Sequence, residues 1–332
     1  MDKYVLNINQ LQKGDILLKR DDSRESKLIR EYTNSEYSHA MLYVGEGSVI
    51  HSDGLGVESV NVQRIGVDSP DDIVVLRIKH PYDINFEQVE LYARSEIGKE
   101  YGSAEARQVI TGNKSIDGRF SNRQYCTKFV AMAYEYGGLN IVNDATLCST
   151  HDILISDKLQ CILNVTHKAT NEELTLIMET DHVLAQQTEA TNDLLEKVRT
   201  ATGLDIQTID QMVLICYERR DVDAKVAPLC NNHPYFHLLE VHHQKNPEEY
   251  DLQLFSDKFG DYAVWEAIRL IGYSEKVLHQ YKLELTKYLY MQSETNSNTI
   301  PYFIELYTKL VDDCRDRIEM LLYYLRMYYL QS

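Results

Sequence analysis

Twelve of the chain's fifteen glycines fall before residue 139. Glycine supplies the positive-φ positions that tight turns and hairpins need, and it weakens helix interiors. The first part of the chain can therefore hold short strands and sharp turns. Beyond about residue 170 the sequence is rich in Glu, Leu, Lys and Tyr and poor in turn residues, so it reads as helix after helix. At 332 residues the chain exceeds the size that one hydrophobic core usually serves. The expectation is an α+β domain over residues 1–168, followed by an all-α domain over 169–332.

In the first domain, Lys13-Gly14-Asp15-Ile16-Leu17-Leu18 reads as a turn and a buried strand, and Ser26 to Tyr32 as a short helix. His39 to Val44 and Ser48 to His51 flank Gly45-Glu46-Gly47, a hairpin signal, and Ile73 to Ile78 supplies another strand. Phe86, Val89, Tyr92, Ala93 and Ile97 fall at helical spacing, with Gly98 as a stop. A further helix spans Cys126 to Tyr136, ended by Gly137-Gly138. Thr150 to Ser156 reads as a capped turn, and Leu159 to Val165 as a closing strand. In the second half, Glu172 to Thr200, Ile206 to Arg219, Asp261 to Met291 and Phe303 to Tyr328 show helical spacing, and Gln292 to Thr299 reads as a loop.

A formal charge of −17 repels phosphate backbones and anionic lipid, which argues against nucleic acid as a partner. The longest wholly apolar or aromatic runs, such as Met320 to Leu325, are too short to span a bilayer. Residues 1–20 lack the pattern of a secretory signal, so synthesis and folding in the cytosol are expected, and action elsewhere would require a dedicated secretion system. The six cysteines are scattered rather than densely spaced, as in a reducing compartment, and Cys161, Cys216 and Cys314 are expected to be buried.

Chemistry concentrates at Cys126 with His39 and His51. A cysteine opening an apolar helix has its thiolate stabilised by the helix's positive end, and a nearby imidazole supplies a proton acceptor. If Gly45-Glu46-Gly47 is a three-residue loop, Met41 lies opposite His51, and His39 shares that face as a diagonal neighbour about 7–8 Å away at the backbone. A two-residue turn would put the two histidines on opposite faces. On the favourable register Cys126 attacks, His39 moves the proton and His51 orients His39, with a thiolate–imidazolium pair as the resting form. The backbone N–H of Cys126 and the hydroxyl of Tyr101 are candidate oxyanion donors. Cys230, His233 and His237 have zinc-like spacing, but with one thiol, and with Pro234 interrupting the helix, they are not assigned a metal. No cofactor is expected.

Lys13-Gly14-Asp15-Ile16-Leu17, Ser38-His39-Ala40-Met41-Leu42-Tyr43-Val44-Gly45, Val49-Ile50-His51, Gly98-Lys99-Glu100-Tyr101-Gly102 and Tyr125-Cys126-Thr127-Lys128-Phe129-Val130, in that order, resemble the circularly permuted NlpC-like papain-fold hydrolases. That group includes the bacterial YiiX/YaeF-like proteins and relatives of lecithin:retinol acyltransferase. In papain-like enzymes the cysteine helix precedes the histidine strand; here the histidine strand comes first, as in the permuted branch. The resemblance covers about residues 10–165 and implies Cys126 as nucleophile, His39 as base and His51 as the third polar residue. It implies a cysteine hydrolase acting through an acyl-enzyme, with bacterial cell-wall peptide as the leading substrate class. Two other readings remain: lipid thioesterase or acyltransferase chemistry at the same site, and a non-enzymatic protein that binds a partner through its helical half.

Overall fold

The computed structural model describes residues 3–80, 82–111 and 121–331. The chain divides into two compact units, residues 1–188 and 189–332.

The first unit is built on a six-stranded antiparallel sheet. Its strands are β2 (Ile16–Lys19), β3 (His39–Gly45), β4 (Ser48–Asp53), β5 (Gly56–Asn61), β6 (Ile73–Ile78) and β7 (Leu159–Ile162), in the order β5-β4-β3-β2-β6-β7. A separate pair joins β1 (Tyr4–Leu6) to β8 (Thr166–Lys168). Both faces of the large sheet are covered, which is why β2 and β3 read as nearly continuous apolar runs. Ile16, Leu18, Ala40, Leu42 and Ile50 pack with Phe129, Val130 and Ala133 of helix α4 (Cys126–Tyr136). The alternate residues Leu17, Met41, Tyr43, Val49 and Val75 form a second core on the opposite face with Leu6, Val62, Ile65 and Val165.

The remaining helices of this unit are α1 (Arg24–Thr33), α2 (Phe86–Ser95), α3 (Ser103–Thr111), α5 (Thr150–Leu154) and α6 (Asn171–Met178), and α7 (Val183–Thr202) begins in it. Sequence reading placed a division at 168/169, yet the compact unit runs on to 188. Arg64 explains this: its guanidinium donates to the carbonyls of Leu176 (2.7 Å) and Glu179 (3.1 Å) and pairs with the Glu179 carboxylate (2.6 Å), tying the end of α6 to the β5 side. The helix expected over 172–200 is accordingly two helices, broken between Met178 and Val183.

The second unit is helical. It holds α8 (Ile209–Glu218), α9 (Arg220–Cys230), α10 (Leu238–Lys245), α11 (Leu252–Phe259) and two long helices, α12 (Ala263–Thr295) and α13 (Ile300–Gln331). Sequence reading began the loop after α12 at Gln292; the helix instead runs to Thr295, where Asn296 caps it in the left-handed conformation. Asp223, buried in α9, organises that loop. It accepts from Ser297 Oγ (2.6 Å), Asn298 N (2.7 Å) and Thr299 N (2.9 Å). Cys216 and Cys314 are buried as expected, whereas Cys161 is exposed because β7 is an edge strand pairing only with β6. Among the described residues no helix is long and apolar enough to cross a membrane.

Candidate active site

The hairpin decides whether His39 and His51 meet. Its loop has two residues, Glu46 and Gly47, both at positive φ (49° and 73°). That alone would have separated the histidines. A β-bulge between Tyr43 and Gly45 inserts one extra residue and restores parity, so that Met41 lies opposite His51. Both imidazoles therefore share one face, with His39 Nε2 and His51 Nδ1 3.0 Å apart and the rings edge to face at 88°. The register expected from a three-residue loop is present, reached by a different turn.

Cys126 opens α4 and is 8% exposed. Its N-cap, Tyr125, makes no side-chain capping bond, leaving the first N–H groups of the helix for another acceptor. The backbone N–H groups of Ala40, Thr127 and Cys126 itself lie close enough to the sulfur to favour its thiolate. Ala40 is available for a geometric reason. Tyr43 donates to Asp15 O on the β2 side, so even-numbered residues of β3 direct their N–H toward β4. The ladder with β4 ends at Met41↔His51, and Ala40, next along, meets Cys126 instead.

Electrostatics favour the neutral forms. Burial pushes the Cys126 thiol up, and the three N–H groups offset this only in part. Burial, then the neighbouring His51 and Lys19, hold His39 down to about 3 against an opposing pull from Asp21. His51 is also lowered, chiefly by burial, with Asp53 opposing. Both shifts run against the ion pair expected from sequence. The helix end and its donors are in place, but desolvation outweighs them.

The segment before Cys126 is tightly held. Ser52 Oγ donates to Gln124 O (2.9 Å), as does Gly102 N (2.7 Å), and Tyr101 bridges Gln124 in parallel. Gly56 lets this segment approach: it sits at φ 103°, and a Cβ there would collide with Lys99 O. On the far side of the helix start, Tyr125 OH donates to Thr146 O (2.9 Å) and Thr127 Oγ1 to Cys148 O (2.6 Å). Thr150 Oγ1 reaches Tyr37 O (2.7 Å), linking α5 to the approach to His39. Burial, with Cys126 next in weight, raises the Tyr101 phenol, so its hydroxyl remains a donor.

Cys126, His39, His51 and Tyr101 all line one cavity of about 1010 Å³. Sequence reading missed Glu58 and Asp53, which also line it. Glu58 lies opposite His51 in the β4–β5 pairing, 3.7 Å from Nε2, and Asp53 is 4.0 Å from Nδ1. The dipeptide Asp53-Gly54 was the available signal, since it predicts a hairpin that would have revealed β5 and its register. One ligand atom each from His51, Asp53 and Glu58 lies within 4.8 Å of the others, the one such potential metal-holding group among the described residues. Cys230, His233 and His237 are not such a group. His233 gives one nitrogen to Asp193 (2.8 Å) and accepts from Tyr235 N–H (3.2 Å) with the other, while His237 faces Glu240.

Residues 10–189 match the family of permuted papain-like amidase enzymes, YaeF/YiiX, C92. The chain belongs to this family. Its members are amidases or peptidases of the cysteine type, so the chemistry to explain is amide hydrolysis. Among solved structures, one similar chain is described as the metalloprotein yiiX from Escherichia coli O157:H7. It is 18% identical, covering 46% of this chain and 97% of that one, with a TM-score of 0.33. No curated protein matches.

Proposed function

We propose that this protein is a cysteine amidase in which Cys126 is the nucleophile, His39 the general base and acid, and His51 the residue that orients His39. The observation that carries this reading is the His39–His51 hydrogen bond in the same cavity as a sulfur held by the N–H next to His39. With Nε2 of His39 engaged by His51, Nδ1 is the nitrogen left to face the thiol. The productive tautomer then has His39 Nε2–H donating to His51 Nδ1, and His51 Nε2–H directed at Glu58.

Catalysis starts from the neutral pair. The thiol proton passes to His39 Nδ1 as sulfur bonds the carbonyl carbon, and the oxygen takes up the negative charge. Tyr101 OH and the Cys126 N–H are the proposed donors to it. As the C–N bond breaks, His39 returns the proton to the leaving amine, giving a thioester at Cys126. Water, deprotonated by His39, then releases the acid and restores the thiol. Residues 1–188 form the proposed catalytic domain, in the permuted order of histidine strand before cysteine helix, and 189–332 a module for a protein partner. Cell-wall peptide is the leading substrate.

One observation favours a second reading, transfer or hydrolysis of a lipid acyl group. Met41, Val60, Ile65 and Ile177 contribute an apolar wall to the cavity, which suits a chain better than a peptide stem. Incubation with cell-wall peptides and with phospholipid, followed by intact-mass analysis, separates the two. Release of the acid and amine from the peptide, lost in both Cys126→Ala and His39→Ala, supports the amidase. A long-chain adduct at Cys126, formed with phospholipid alone, supports the acyl reading. Peptide hydrolysis by Cys126→Ala at the parent rate overturns the nucleophile assignment.

A further inference from the structure

The cavity contains a cation for which the proposed chemistry has not yet accounted. Lys19 ends β2 and lies directly opposite His39 in the β2–β3 pairing, on the same face and about 5 Å away at Cβ. His51, His39 and Lys19 thus form a row across β4, β3 and β2, and all three line the cavity. The ammonium makes no hydrogen bond or ion pair with any described residue. The carboxylates near enough to influence it are each engaged elsewhere. Asp21 accepts from Ser23 N (2.9 Å), Asp68 pairs with Lys3 (2.9 Å), and Asp72 pairs with Arg20 (2.9 Å). A partly buried, unpaired ammonium is costly to maintain. Among the described residues it is compensated only by Asp21, Asp68 and Asp72, none of which pairs with it.

Resting on the nucleophile assignment above, we infer that Lys19 is a specificity residue that receives an anionic group, a carboxylate on the acyl side of the substrate, next to the scissile carbonyl. Such a carboxylate fits the position because it supplies the missing partner and, once bound, cancels a positive charge that otherwise opposes protonation of His39. The step His39 must perform, taking the Cys126 proton, is thereby favoured by the substrate that carries the anion. A neutral acyl group would occupy the same cavity without that gain.

The test needs no identified substrate. Iodoacetate and iodoacetamide both alkylate a thiolate with loss of iodide, and they differ in one carboxylate against one amide. At pH 8, with Cys161→Ser removing the exposed thiol, the rate ratio of iodoacetate to iodoacetamide at Cys126 should fall about tenfold in Lys19→Met, the scale of one partly screened charge pair. Lys19→Arg should keep the parent ratio. Removing Lys19 also makes His39 easier to protonate, which by itself would raise the ratio, so a fall reports the pull of Lys19. An unchanged ratio alongside selective iodoacetamide labelling of Cys126 overturns the assignment of Lys19 alone. Failure of iodoacetamide to label Cys126 ahead of the other cysteines overturns the nucleophile assignment and this inference together.

Discussion

The neutral resting pair makes a sharp claim about pH. The His39 imidazole is held down to about 3 and the Cys126 thiol is pushed up, both first by burial. Around neutral pH both groups therefore favour their uncharged forms. With a thiol at or above its ordinary value near ~8.5, the thiolate is at most about 3% of Cys126 at pH 7. Its alkylation by iodoacetamide should then rise about tenfold per unit from pH 6 to pH 8, because rate follows thiolate fraction. Intact-mass time courses in a Cys161→Ser background measure this directly. A thiolate–imidazolium pair would behave otherwise, giving a rate already near its plateau at pH 6 and almost flat to pH 8. A flat profile, lost on His39→Ala, would refute the argument that desolvation outweighs the three N–H donors.

Further outcomes follow from single contacts. Glu58→Gln removes the charge facing His51 Nε2 and should lower kcat/KM about tenfold with KM nearly unchanged, read by steady-state kinetics on whichever amide proves to be the substrate. Gly56→Ala places a Cβ against Lys99 O at positive φ and should lower thermal stability by about 2 kcal/mol, measured by denaturant unfolding. Asp223→Ala strips three donors of a buried acceptor and should destabilise the helical unit by about 3 kcal/mol. Although burial opposes it, hydrogen bonding to Ser297 and the following N–H groups leaves the Asp223 carboxyl below its ordinary value. Its contribution is therefore present above about pH 4 and lost as pH falls through the depressed folded value, so the parent but not the variant should lose that increment in acid unfolding titrations.

Residues whose chemistry and periodicity agree were legible before any coordinates. The strands Ile16–Lys19 and Ile73–Ile78 and the helix Cys126–Tyr136 emerge from apolar patterning and turn residues, whereas the pairing of Met41 with His51 is one of two registers that the turn residues leave open. The route to that pairing was not legible. A loop of two residues plus a bulge and a loop of three residues give the same parity, and only the backbone distinguishes them. Cys161 was misplaced because burial of a cysteine depends on whether its strand has a second neighbour, which composition does not encode. Glu58 and Lys19 were overlooked for a related reason. Each matters through the residue opposite it in a neighbouring strand, and the strand order β5-β4-β3-β2 is a long-range property.

The same burial that defeats the expected ion pair gives the site its logic. Burial disfavours charge separation between sulfur and imidazole, yet groups that would stabilise it are already close: the Ala40, Thr127 and Cys126 N–H near the sulfur, His51 at the base. Preorganised dipoles cost nothing at the moment of reaction, whereas solvent would have to reorient. A proton on His39 beside the Lys19 ammonium needs compensation, and an anionic ligand at Lys19 provides it. Reactivity toward an amide is thereby tied to occupancy by the right acyl group.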